Sequence, residues 1–155
     1  MKELNYLIIH CTATPEGREV TSDDIRKWHL SKPPQGRGWK QVGYSDLIHL
    51  DGVIENLVKY DENNWVESGE ITNGATNYNG VSRHIVYAGG CDKQGKPKDT
   101  LTQKQYESLA NYIKIFLYNH PNCKVIGHNQ VAAKACPSFK VNEKFADIIP
   151  KRNQQ

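Results

Sequence analysis

Three short apolar runs punctuate the chain at 4–10, 83–88 and 124–127. The first run is β-branched and lacks strict alternation with polar residues, which is typical of a strand buried on both faces of a sheet, and the other two are predicted to be short strands. The first run ends at His10, followed by Cys11. Because successive side chains of a strand point to opposite faces, we expect His10 to face a cleft and Cys11 the core.

Helical spacing predicts three helices. The first runs to about Leu30, because Thr21, Ser22, Asp23 and Asp24 offer an N-cap and first-turn carboxylates. The second opens with a capping box at 102–105 and ends before Pro121. It carries apolar residues on one face: Tyr106, Leu109, Ala110, Ile113, Phe116 and Leu117. The third spans 141–149 and is expected to be capped by Asn142.

A hairpin is predicted where Asp51-Gly52 separates the runs 43–50 and 53–56, and Tyr44 starts its first strand. The polar, Asn- and Gly-rich segment 61–78 is expected to be a long surface loop. Strands that alternate with helices around one hairpin indicate an α/β fold, with a central mixed sheet flanked by helices. We find no repeat and expect one domain over 1–155.

Composition narrows the class of protein. Apolar residues make up 37% and charged residues 24%, close to the soluble globular average. The net charge of +3 is scattered without a basic block, so nucleic acid is not expected as a partner. No apolar run approaches a membrane span or a signal peptide. We expect a monomer made in the cytoplasm without a signal peptide and without membrane insertion.

Candidate chemistry is concentrated at 127–139, which brings together His128, Lys134 and Cys136. Imidazole and thiolate are ligands that zinc readily takes, and an ammonium group nearby can stabilise a negative oxygen. A third ligand is missing from the stretch. A cytosolic origin favours free thiols or metal binding for the four cysteines, although a bridge between Cys91 and Cys123 stays open. No Cys-x-x-Cys pair is present, which argues against a structural zinc knuckle.

The chain resembles the zinc-dependent N-acetylmuramoyl-L-alanine amidases, the group that includes phage lysozymes of amidase type and the peptidoglycan recognition proteins. The resemblance runs almost from end to end, and its motifs are Ile8 to Thr14, Ile25 to His29, Val42-Gly43-Tyr44, Asp51-Gly52, Tyr78-Asn79 with Gly89-Gly90, and Lys134 to Phe139. It implies the amidase fold of the peptidoglycan recognition proteins.

The resemblance also implies the site. His10, His128 and Cys136 would bind Zn²⁺, which activates water for attack on an amide. Tyr44 and Lys134 would be catalytic, with Asn79 as a substrate contact. The expected reaction is cleavage of the peptidoglycan bond between N-acetylmuramic acid and L-Ala of the stem peptide. A phage or prophage lytic enzyme, acting on the cell wall after release, fits the missing signal peptide.

Three positions depart from the family pattern. Gln130 replaces an acidic residue that is frequent two positions after the second histidine, and Ala133 stands where proline is common. The acceptor that orients His128 is therefore not evident. Phage relatives carry a histidine near the position of Gly74, so we expect a different wall of the substrate pocket.

Simpler interpretations compete with these assignments. His29, His49, His84 and His120 are assigned to ordinary structural roles. Tyr44 is also a good strand former, and Lys134 would be an ordinary loop lysine without its spacing from Cys136. Some members of the superfamily bind peptidoglycan without cleaving it. Those have typically lost the cysteine, so the presence of Cys136 favours catalysis, and a non-catalytic binding module is the alternative function.

Overall fold

The computed structural model describes residues Met1–Gln155. Its strands, in chain order, are β1 (Lys2–Glu3), β2 (Tyr6–Cys11), β3 (Thr14–Pro15), β4 (Asp46–Ile48), β5 (Ile54–Asn56), β6 (Trp65–Val66), β7 (Ser82–Tyr87), β8 (Gly90–Cys91) and β9 (Lys124–Gly127). The α-helices are α1 (Ser22–Leu30), α2 (Gln103–Asn119) and α3 (Val141–Lys144).

Five strands form the central sheet in the order β5-β4-β7-β2-β9. β4, β7, β2 and β9 are parallel, while β5 pairs with β4 antiparallel through the predicted hairpin. The sheet is therefore mixed, as expected. The carboxyl ends of the four parallel strands meet at one edge, which is where ligand sites of such sheets lie.

One face of the sheet carries the larger apolar core. β2 contributes Leu7 and Ile9, and α2 covers them with Leu109, Ile113 and Phe116, all fully or almost fully buried. The capping box predicted at the start of α2 is present, because Thr102 accepts from the Gln105 N–H and the Gln105 side chain accepts from the Thr102 N–H. The amphipathic spacing of α2 thus fixes which face of the sheet it covers.

The opposite face is covered by α1 and the loops around it. Ile25 of α1 packs with Leu47 and Val86 of the sheet in a second, smaller apolar cluster. α1 has the predicted bounds, and its N-cap Thr21 forms a capping box with Asp24. Two layers around one mixed sheet confirm the α/β fold class predicted from the alternation of elements.

Two strand predictions need correction. Tyr44 does not start a strand, because β4 begins only at Asp46 and Tyr44 lies in the preceding loop. The segment 61–78 is not free of secondary structure, since it contains β6, which pairs with β1. Both differences involve elements of two or three residues, which local patterns rarely resolve.

The C-terminal helix is also shorter than predicted. α3 ends at Lys144, and Asn142 lies inside it, so its N-cap is Lys140 without a side-chain hydrogen bond. Turns continue the chain to Ile149, whose N–H donates to the Phe145 carbonyl. Because Phe145 and Ile149 are buried in the larger core, tertiary packing rather than a long helix explains their apolar spacing.

None of the helices combines the length and apolar character that a membrane crossing needs.

Candidate metal centre and cleft

His10 is held at the carboxyl end of the central strand β2. Its neighbours Ile9 and Cys11 belong to the larger core, whereas His10 points to the other face, as predicted. The side chain is 1% exposed. A histidine in this position is fixed by strands on both sides, so its ring has little freedom to turn away from the site.

His128 and Cys136 come from the turns that follow β9. His128 opens a single 3₁₀ turn directly after Gly127, and the Asn129 N–H donates to the Cys136 carbonyl at 2.8 Å. The Asn129 side chain also donates to the carbonyl of Phe139 at 3.1 Å. These bonds tie the two ends of the segment 127–139 together, so His128 and Cys136 are delivered as one unit.

The three predicted ligands converge. The ligand atoms of His10, His128 and Cys136 all lie within 4.8 Å of one another. The His10 Nδ1 atom is 3.7 Å from the Cys136 Sγ atom. Two such ligands of one tetrahedral zinc are separated by about 3.6 Å, given bond lengths of about 2.1 and 2.3 Å. The donor set and its spacing therefore fit a metal ion of the zinc type.

The electrostatic state of the histidines suits metal binding. Burial lowers the pKa of His10 well below its usual value, and the rings of His84 and His128 lower it further. Burial also lowers the pKa of His128, with the charge of Lys134 as a second cause. Neutral imidazoles offer the lone pair that a metal requires without first losing a proton.

Cys136 is held differently, as one of two adjacent thiols. A hydrogen bond with the Cys11 thiol and burial raise the pKa of the Cys136 thiol. The backbone N–H of Cys11 donates to the Cys136 Sγ atom at 3.3 Å. Because a coordinating thiol is deprotonated outright, metal binding at this site would release a proton. All four cysteines are free, so the bridge between Cys91 and Cys123 does not form.

A cleft opens beside the three ligands. It has two arms, of about 320 and 260 Å³, that share His128, Tyr44 and Lys134 in their walls. The Tyr44 ring lies with its centroid 5.1 Å from that of His10. Lys134 is exposed in the cleft, while Tyr44 is half-buried. An ammonium and a phenol are thus available beside the ligands.

Two histidines assigned to structural roles also lie at the site. The His84 ring hydrogen-bonds that of His10 at 2.8 Å. His29 accepts from the Gly43 N–H at 2.9 Å and lines both arms of the cleft. His29 ends the motif Ile25 to His29, but that motif assigned it no role at the site. His84 lies in no such motif, and its position in a strand predicts which face of the sheet it points to but not its bond to His10.

Two other predicted positions are held by local hydrogen bonds. The Asn79 Oδ1 atom accepts from the Ala75 N–H at 2.8 Å and lies 3.0 Å from the His84 Nε2 atom. The Gln130 side chain accepts from the Gly127 N–H at 2.9 Å. Gln130 therefore closes the turn that carries His128.

The segment 61–78 forms one wall of the larger arm. Asn73, Gly74, Ala75, Thr76 and Asn77 line it opposite Arg37 and Trp39. These neighbours are mostly polar or small, so the arm suits a polar, extended ligand more than an apolar one.

Comparison with known proteins gives a consistent result. The sequence model of the family described as N-acetylmuramoyl-L-alanine amidase matches residues 1–139. The endolysin of Escherichia phage T7 is 32% identical over 133 residues, which cover 86% of this chain and 80% of the relative. The endolysin of Enterobacteria phage K11 is 30% identical over 138 residues, covering 89% and 83%.

The fold has a match among solved structures. Wild-type PGRP-LB of Drosophila superposes with a TM-score of 0.69 at 24% identity, covering 100% of this chain and 85% of that one. The likeness confirms the predicted architecture.

Proposed function

Since this chain belongs to the N-acetylmuramoyl-L-alanine amidase family, we propose that it is a zinc-dependent endolysin that cleaves peptidoglycan between N-acetylmuramic acid and the L-Ala of the stem peptide. The convergence of His10, His128 and Cys136 within 4.8 Å of one another, beside a cleft lined by His128 and Cys136, carries the proposal. We further propose that 1–155 acts as a single amidase domain, as a monomer, on the cell wall after release.

His10, His128 and Cys136 would hold the ion. Two neutral imidazoles and one thiolate leave a divalent ion with net positive charge and an open position. When bound, zinc supplies a Lewis acid and lowers the pKa of bound water to about 7.

Lys134 would act on the substrate carbonyl oxygen. It lines both arms of the cleft together with His128. As water adds to the amide carbon, negative charge builds on that oxygen, and an ammonium group fixed nearby stabilises the charge. The exposed position of Lys134 leaves its Nζ atom free to reach a ligand in the cleft.

Tyr44 would donate a hydrogen bond near the scissile group. Burial is the main cause of the raised pKa of its phenol, and nearby thiols raise it further. The hydroxyl thus keeps its proton at all physiological pH values, so it can donate to a carbonyl oxygen or orient the attacking water.

Asn79 remains a proposed substrate contact of lower rank. Its Oδ1 atom is engaged with Ala75, so only its amide NH₂ group would remain for a substrate. The polar residues Asn73 and Asn77 lie in the cleft wall itself.

Digestion of purified peptidoglycan tests the reaction. We expect new amino termini on L-Ala and release of free stem peptides, without new reducing ends from the glycan. New reducing ends alone would contradict an amidase. Sedimentation of the protein with the wall without any released peptide would instead support the binding-module alternative.

Metal analysis tests the ion separately. The three-ligand site predicts about one zinc per chain. Protein that retains no zinc after it is offered in excess would contradict the proposed cofactor, whatever the outcome of the digestion.

A further inference from the structure

His84 lies beside a proposed metal ligand without belonging to the ligand set. It is on β7, and its strand pairs in parallel with β2, which carries His10. The His10 Nε2 atom is 2.8 Å from the His84 Nδ1 atom, and neither side chain is more than 1% exposed. A contact this short needs one nitrogen that donates and one that accepts.

Asn79 decides the direction of that hydrogen bond. The backbone N–H of Ala75 donates to the Asn79 side chain at 2.8 Å. A backbone N–H can only donate, so the Asn79 atom that it meets is the carbonyl oxygen. The His84 Nε2 atom lies 3.0 Å from the same oxygen. Because that oxygen can only accept, the His84 Nε2 atom must carry a proton.

The proton positions of both rings follow. His84 is fully buried, and its hydrogen bonds go to His10 and Asn79 and not to a carboxylate, so nothing compensates a charged ring and the ring is neutral. A neutral ring that is protonated at Nε2 has its lone pair on Nδ1. The His84 Nδ1 atom therefore accepts, and the His10 Nε2 atom donates to it. The lone pair of His10 is left on Nδ1, which lies 3.7 Å from the Cys136 Sγ atom.

We infer that His84, oriented by Asn79, is a positioning residue that fixes His10 in the tautomer whose Nδ1 lone pair faces Cys136. The other tautomer would place a proton on Nδ1 and block the atom that faces the remaining ligands. The inference deepens the metal site proposed above and rests on it for its function. A hydrogen bond to the far nitrogen of a ligating histidine fixes both its proton and its ring orientation.

Gly74 makes room for this arrangement. A Cβ atom added at Gly74 would lie 2.6 Å from the His84 Nδ1 atom, the atom that accepts from His10. It would also lie 2.7 Å from the Gly43 carbonyl oxygen, which belongs to the backbone and cannot swing aside. A methyl group at position 74 would therefore push the His84 ring away from His10.

Long-range ¹H–¹⁵N NMR of the histidine rings tests the tautomer directly in the purified full-length chain. With zinc removed by a chelator, we expect His10 to be protonated at Nε2 and not at Nδ1, and His84 to be protonated at Nε2. A proton on the His10 Nδ1 atom would overturn the inference. This outcome does not depend on whether zinc binds.

Zinc affinity, measured by competition with a chromophoric chelator, tests the role. His84→Leu removes both hydrogen bonds, and we expect zinc to bind about 10- to 100-fold more weakly. His84→Gln can accept from His10 through Oε1 and donate to Asn79 through Nε2, so its affinity should stay within about threefold of the wild type. Wild-type affinity in His84→Leu, or equal losses in the two variants, would overturn the inference.

Two further variants complete the design. Gly74→Ala leaves the His84 side chain unchanged but should displace its ring, and zinc should then bind more weakly. This variant tests the position of the ring even if His84→Leu folds poorly. His49→Gln alters a histidine that is bonded to Glu19 and Glu55, away from the cleft, and should leave zinc affinity unchanged. A wild-type chain that binds no zinc would count against the proposed function, while the NMR result still decides the tautomer.

Discussion

The two faces of the central sheet each bury a polar centre, and only one of them has unused ligand atoms. On the α2 face, the Asp46 carboxyl group accepts from the hydroxyls of Tyr60 at 2.6 Å and Tyr112 at 2.7 Å and from the Asn56 amide at 2.9 Å. The carboxyl oxygens of Asp46 are thus occupied by hydrogen bonds from within the protein. We call this set of four residues the aspartate centre.

The histidine centre, on the opposite face, comprises His10, His84, His128 and Cys136. The His10 Nε2 atom is engaged by His84, but the candidate ligand atoms of His10, His128 and Cys136 converge beside an open cleft. Both the aspartate centre and the histidine centre therefore bury polar groups. The two centres differ in their lone pairs, which accept hydrogen bonds from the chain in the aspartate centre and converge on a common point in the histidine centre.

Removal of a ligand should break the histidine centre with the largest effect on activity. Cys136→Ala takes away the thiolate, so the amidase rate should fall by roughly 10³-fold or more, equivalent to about 4 kcal/mol. The measurements are peptide release from peptidoglycan and zinc content. Cys123→Ala, which removes a buried thiol bonded to the Leu4 carbonyl, is the matched control and should keep its zinc. Full activity of Cys136→Ala would refute the proposed mechanism.

Removal of the carboxyl group from the aspartate centre should lower the stability of the fold and not its zinc content. Asp46→Ala leaves Tyr60, Tyr112 and Asn56 without their acceptor, so the free energy of unfolding should fall by about 3 kcal/mol. Urea unfolding followed by circular dichroism measures the loss, and zinc content of the folded fraction should not change. Asp147→Ala, at an exposed carboxylate, should stay within about 0.5 kcal/mol of the wild type. Loss of zinc from folded Asp46→Ala would show that the two centres are coupled.

A variant of Lys134 distinguishes loss of catalysis from loss of metal binding at the histidine centre. Lys134→Ala should reduce kcat by about 100-fold, or about 2.7 kcal/mol, because the developing oxyanion loses its nearby cation. Zinc affinity should stay close to that of the wild type, since Lys134 is not a ligand. Lys140→Ala, whose side chain is exposed, is the control for loss of a surface charge. Unchanged turnover in Lys134→Ala would return Lys134 to an ordinary loop role.

Tyr44 should have a smaller effect than Lys134. Tyr44→Phe keeps the ring that packs near His10 and removes only the hydroxyl, so kcat should fall by about 10- to 30-fold, the equivalent of one hydrogen bond to a charged group. Thermal unfolding should be nearly unchanged. A rate equal to that of the wild type would mean that Tyr44 serves only in packing.

His49 offers the smallest effect and lies outside both centres. Partial burial opposes its charge, but hydrogen bonds to Glu55 and Glu19 outweigh this and raise its pKa. The His49 bond is in turn the main cause of the lowered pKa of Glu55. The stabilisation by His49 is therefore complete below the unfolded histidine pKa of about 6.5 and is lost as pH rises through the higher folded value.

The corresponding test compares His49→Gln with the wild type at two pH values. At pH 5.5 the variant should be less stable by no more than about 1 kcal/mol, because both carboxylates are partly exposed and screened by solvent. At pH 8.5 the difference should shrink. A difference that grows with pH would contradict this sign.

Much of the fold follows from local patterns. The bounds of α1 are as predicted, and α2 starts at its predicted capping box, because caps and amphipathic faces are encoded within a few residues. The predictions that a strand starts at Tyr44 and that a helix spans 141–149 were wrong. In both cases apolar residues are buried by distant neighbours, so periodicity alone overstates the length of the element.

The candidate ligand set could be named from the sequence, but its arrangement could not. His10 and Cys136 are 126 positions apart, and only the parallel pairing of β2 with β9 brings them together. Motif order selects the residues, while distances, shared hydrogen bonds and the cleft depend on contacts that are remote in sequence. His84 was assigned a structural role because its own strand predicts only the face it points to, while its bond to His10 depends on the pairing of β7 with β2.

The sequence by itself determined α1, the start of α2, the central strands β2, β7 and β9, and the chemical types of the candidate ligands, because these depend on residues that are close along the chain. The tertiary structure alone decided which polar groups satisfy one another and which remain available. It leaves the Asp46 carboxyl group fully engaged on one face of the sheet and the lone pairs of His10, His128 and Cys136 converging on the other. The physical reason is that a lone pair accepts a hydrogen bond only from a donor that folding brings within reach, and it stays available where folding brings none.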